Sequence, residues 1–142
     1  MKLSLHSDLL TYLNDCLPAV IDYENAAVAS YSGVSGENYT NDLDMYKALT
    51  DVIIPNYRKL AEGLGEFSVR LKTDEVRKLN EKYIEAVKTN MSAFVFLENM
   101  LDNQDASKAE DFNERIEKGQ TLMGEWLAEL QALCNENGVQ MQ

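Results

Sequence analysis

Histidine is almost missing from this chain: His6 is the single one among 142 residues. Its scarcity removes the Glu-x-x-His pairs that build di-iron sites inside helical bundles, and it leaves no serine or cysteine with an imidazole to activate it. Only two cysteines occur, Cys16 and Cys134. They match no CxxC or zinc spacing and read as two small buried thiols, unbridged. No apolar run approaches the roughly 20 residues of a membrane span, and the opening MKLSLHSDLL breaks at His6 and Asp8 before a signal-peptide core forms. The acidic turn Asp102, Asn103 and Asp105 lacks the central glycine of a calcium loop, and no strand precedes a glycine-rich phosphate loop. The chain is therefore read as non-enzymatic, with no metal and no cofactor. As written it belongs in the cytoplasm, or outside it or on a lipid anchor if a leader has been removed.

Lysine and arginine are also short, 13 against 24 acids, for a net charge of −11. A phosphate-binding surface needs the opposite balance, so nucleic acid and anionic lipid are poor partners. The deficit is uneven: residues 1 to 57 carry −6, residues 58 to 88 carry +2, and residues 89 to 142 carry −7. With 45% apolar residues, the chain has the composition of one packed domain spanning 1 to 142.

What the sequence does hold is helical period. Leu5, Leu9, Tyr12, Cys16, Val20, Tyr23, Ala27 and Tyr31 recur at steps of three and four and predict a first helix from about Ser4 to Ser30. Gly33, Gly36, Asn38 and Asn41 mark a loop. Thr40 or Asn41 then caps a second helix, with Leu43, Tyr46, Leu49, Ile53, Tyr57, Leu60, Leu64, Phe67 and Leu71 on one face. Thr73 with Asp74 and Glu75 opens a third helix that runs through Val76, Tyr83, Val87, Phe94 and Leu101. Asp105 caps a fourth, with the stripe Phe112, Ile116, Gly119, Met123, Leu127, Leu130 and Cys134, and Gly138 terminates it. Four long helices on short connections predict an all-α, up-down-up-down antiparallel four-helix bundle.

Both prolines fall inside this pattern, where each removes an amide and frees the carbonyl four residues back: Pro18 that of Asn14, and Pro55 that of Asp51. Counting along the helices sets the two sites at one level and predicts paired kinks in helices 1 and 2. A mid-bundle ligand pocket would use Asn14, Pro18, Tyr23, Asp51, Pro55 and Tyr57, with Gly119 leaving room opposite. Phe94, Phe96 and Leu97 are too closely spaced to face one side, so this stretch is either buried deepest or covered by a second copy, and it is the candidate interface for any self-association.

The run YSGVSGENYTND from Tyr31 to Asp42, Leu17–Pro18 and IIPNY from Ile53 to Tyr57 resemble a loosely defined set of small bacterial lipoprotein-type helical domains. The resemblance covers about the first half of the chain and implies a helical fold with no known site residues. The expected function is a non-catalytic acidic interaction module that meets a protein partner or a second copy. The alternative is a small-molecule binder using the proline level.

Overall fold

The computed structural model describes residues 2–141, and those residues are all-helical apart from their turns. A first rod is made of α1 (Leu3–Thr11), a π-helical turn (Tyr12–Cys16) and α2 (Leu17–Ser32) in direct succession. The second rod repeats the scheme with α3 (Asp42–Ala48), a π-helical turn (Leu49–Ile53) and α4 (Ile54–Ser68). Helices α5 (Asp74–Asp102) and α6 (Ala109–Glu136) are the third and fourth rods. The four rods form a helical bundle in which α5 packs on α6 and on α4, and α4 packs on α2.

Local chemistry explains where each rod starts and stops. Asn41 Oδ1 accepts from the Asp44 amide at 2.8 Å and caps α3, and Thr73 Oγ1 accepts from the Val76 amide at 3.4 Å to cap α5. The start of α5 is also held from a distance. Buried Asp8 of α1 accepts the amides of Lys72 and Thr73 at 3.1 and 2.9 Å, and the Thr73 hydroxyl at 2.6 Å. Asp105 does not cap α6 directly: it accepts from the Ser107 amide at 3.1 Å and caps a one-turn 3-10 helix, after which α6 begins at Ala109. At the far end Gly138 takes φ +66°, and the Val139 amide reaches back to the Cys134 carbonyl at 2.9 Å.

Each proline stands two residues past the end of a π-helical turn. The Leu17 amide reaches back five residues to Tyr12, and the Ile54 amide five residues to Leu49. Widening the turn relieves the clash between a proline ring and the preceding carbonyls. The four-back count that singled out the Asn14 and Asp51 carbonyls therefore does not hold across these turns. In the second rod the Asn56 side-chain amide donates to the Val52 carbonyl at 2.8 Å.

The core follows the expected stripes with two shifts of phase. Trp126 points inward at 8% exposure while Leu127 stands out at 42%, and Met45 is buried where Leu43 is exposed. Helix α4 runs through Gly63 and Gly65 but stops at Ser68, short of Leu71. Gly63 is a packing notch, since a β-carbon there would lie 2.7 Å from Val20 Cγ1. Both cysteines are buried and unbridged. Burial pushes the Cys16 thiol up to about 12 and raises that of Cys134 as well.

Helix α5 ends at a position built for glycine but filled by glutamine: Gln104 adopts φ +51°, and the next amide, of Asp105, bonds the Met100 carbonyl at 2.9 Å. A side chain in the left-handed region costs about 1 kcal/mol that glycine avoids. Gln104→Gly should therefore raise Tm by about 4 °C in a thermal melt; an unchanged or lower Tm would contradict the strain.

Candidate functional site

The residues expected to line a pocket differ widely in exposure. Asn14, Pro18 and Asp51 are exposed, Pro55 and Tyr23 are half-buried, and Tyr57 is buried with its ring stacked on Phe94, centroids 5.4 Å apart. Tyr23 lies under the Lys59 ammonium, 5.9 Å from its ring centre. Gly119 leaves no room, because the buried Asn90 carboxamide occupies the place where its side chain would be. Asn90 Oδ1 has no hydrogen-bond partner there and rests against the glycine, a weak Cα–H···O contact at most.

The expected interface residues also change role. Phe94 and Leu97 are core, at 3% and 9% exposure, and Phe96 is half-covered by Arg115, whose guanidinium sits 4.3 Å from the ring centre. Four apolar residues in a row fit one helix here because the interior wraps around Phe94. Its ring meets Tyr31 of the first rod at 4.9 Å, Tyr57 of the second at 5.4 Å and Phe112 of the fourth at 6.2 Å.

A second junction lies further along. The Trp126 indole donates to the Tyr12 hydroxyl at 3.2 Å, that hydroxyl donates to Asn80 Oδ1 at 3.2 Å, and the Asn80 amide donates to the Leu64 carbonyl at 2.8 Å. Burial raises the Tyr12 phenol far above its usual range. Asn80 and Asn90 share the buried face of α5 with Val76, Tyr83, Val87 and Phe94 at steps of three and four. That shared phase is the sequence signal for these buried polar groups.

Between these junctions the first and fourth rods leave a seam. Helix α6 packs closely against α5 but only marginally against α1 and α2. On the first rod, half-buried Leu13 and Leu17 and exposed Leu10, Ile21 and Val28 lie about 40 to 100° round from inward-facing Leu9 or Val20, all in one sense. His6, turned the same way, bonds the Asn137 carbonyl just past α6 at 2.8 Å, which shows that this sense faces the fourth rod. On α6, half-buried Ile116 and Met123 and exposed Leu127 lie about 60 to 100° from Trp126. This is the sense away from Glu125 and Glu129, which face α5 and pair with Lys82 at 3.7 and 2.7 Å. Two apolar flanks thus face each other along the line where the two rods hardly meet.

Glu24 sits in this seam, about 40° from Val20 in the same sense. Its Oε2 accepts the Tyr83 hydroxyl at 2.9 Å, and the Tyr83 ring lies 4.1 Å from that of Trp126. Burial raises the Glu24 carboxyl above its ordinary value, partly offset by the Tyr83 hydrogen bond. Tyr57 is pushed up to about 12, first by burial and then by the Glu24 charge, and Tyr83 is raised for the same two reasons. Sequence reasoning passed over Glu24 because one acid beside an apolar stripe reads as solvated.

Other features are less focused. An open cleft of about 510 Å³ between α5 and α6 collects Lys88, Arg115 and Lys118 but also Glu81 and Glu85. Among the described residues no three His, Cys, Asp or Glu side chains are grouped to hold a metal ion, and no helix is long and apolar enough to cross a membrane. Compared with known proteins, the chain matches no family model, no curated protein and no solved structure.

Because the folded state holds the Glu24 proton more tightly than the unfolded chain, its contribution to stability is complete below the ordinary value of 4.5 and is lost as pH rises through the folded value. Glu24→Gln keeps an acceptor for Tyr83 and removes this loss. Its Tm should match or exceed that of the natural chain at about pH 7, with a shallower decline from about pH 5 upward. A lower Tm at pH 7 would show that the carboxylate stabilises the fold.

Proposed function

We propose that this chain is a non-catalytic interaction module whose docking face is the apolar seam between the first and fourth rods. The observation that carries this reading is the exposure of Leu10, Ile21, Val28 and Leu127 along a line where α6 hardly meets the first rod. Exposed apolar residues scattered singly need no explanation, but residues aligned on two facing flanks form a groove for an amphipathic helix.

In the same reading the four rods run up-down-up-down and antiparallel, and the prolines bend the first two rods around the core. Support comes from residue pairs that ascend on one rod as they descend on the next. Tyr12 meets Trp126 while Tyr31 and Phe112 share Phe94, and Val20 faces Gly63. Kinship with the small lipoprotein-type helical domains belongs to this proposal too. Leu17–Pro18 and Ile53 to Tyr57, which carry that resemblance, fall at equivalent places in the two proline-bearing rods.

The test is a titration of the 15N-labelled protein with a synthetic helix of about 18 residues, or about 27 Å, bearing leucine on one face and lysine and glutamine on the other. Amide shifts should cluster at Leu13, Leu17, Ile21, Val28, Met123 and Leu127. Shifts confined to the Lys88, Arg115 and Lys118 cleft, or none at all, would refute the docking face.

A further inference from the structure

We infer that the partner is a cationic amphipathic helix, one of whose lysine or arginine side chains pairs with Glu24 in the seam. The inference rests on the docking reading above and adds the chemistry of the occupant.

Glu24 is half-buried among apolar flanks and accepts one hydrogen bond, from Tyr83. Among the described residues no ion pair reaches it, and its second oxygen accepts no hydrogen bond. On that rod's other side, Lys59 is placed over Tyr23. A carboxylate set among apolar flanks and unmatched among the described residues is completed by a cation delivered from outside. Covering the seam strips water from the pair, which strengthens the attraction at the moment of docking.

The walls reinforce this choice. Between Lys2 and Lys47 the chain has no lysine or arginine, so the whole first rod carries acids without a single permanent base. Helix α6 has seven acids against Arg115 and Lys118. A second copy of the chain would bring another −11 and a first rod with no lysine or arginine, which disfavours self-pairing across the seam. The length fits as well. The stretch from the Tyr12 junction to the Tyr31 junction is about 28 Å at 1.5 Å per residue, room for five helical turns. A lysine on such a helix lays its methylene stem along Leu17 and Ile21 while its ammonium reaches Glu24.

The experiment compares two synthetic helices of about 18 residues with the same leucine face, one with lysine and one with glutamine on the polar face, by calorimetry and 15N shift mapping. The lysine helix should bind the natural chain at least about tenfold more tightly. Glu24→Gln should weaken the lysine helix about fivefold and leave the glutamine helix unchanged, whereas Glu66→Gln, an exposed acid on α4, should change neither more than about twofold. Equal binding of both helices in the seam would overturn the cationic partner while leaving the docking face intact. Equal losses from Glu24→Gln and Glu66→Gln would overturn it too, since only net charge would be at work. Absence of seam shifts with either helix would overturn both readings.

Discussion

The bundle depends on one buried hydroxyl. Tyr12 takes the Trp126 indole proton and gives its own to Asn80, whose amide in turn holds the Leu64 carbonyl, so a single chain of hydrogen bonds touches all four rods. All four residues are almost fully shielded from water. A buried polar network of this kind fixes register, because any slip of one rod leaves an indole, a hydroxyl or an amide unsatisfied in the core. Tyr12 is also the first residue of a π-helical turn, so the widened backbone ahead of Pro18 and the register-setting side chain are one structural device.

The second junction, at Phe94, uses shape where the first uses polarity. Three aromatic rings from the other rods surround it, and with Tyr12 it pins the first rod near both ends. Between these pins the rods pack unequally. The notches at Gly63 and Gly119 let α2 approach α4 and α6 approach α5, whereas the fourth rod hardly meets the first. The seam and the half-buried Glu24 are what that asymmetry leaves behind. Apolar side chains left exposed where two rods hardly meet are the physical basis for assigning the seam a binding role.

Much of the fold was legible in the sequence because its signals are local. The caps at Asn41 and Thr73 and the left-handed Gly138 each act within a few residues, and the apolar period located all four rods. What was hidden depends on distant partners. Asp8 meets Lys72 and Thr73 across 64 and 65 positions, and Glu24 meets Tyr83 across 59, so neither acid differs from a surface acid by spacing alone. At the proline level the helical count did not carry through turns that are π-helical, and Asn90 takes up the room expected beside Gly119. Around Phe94 periodicity left two readings, deepest burial or cover by a second copy, because it cannot tell a residue crowded by three rods from one left facing water; Phe94 is buried.

If the Tyr12 chain holds all four rods, the first and fourth cannot part while the rest stays folded, and the open seam is a fixed groove rather than a breathing gap. The indole proton of Trp126 reports this directly by hydrogen exchange at increasing urea concentrations. The account predicts that it exchanges only through global unfolding, with the same free energy and urea dependence as the most protected core amides of α5. Exchange that is much faster and insensitive to urea would mean that the two rods separate locally, and would contradict it.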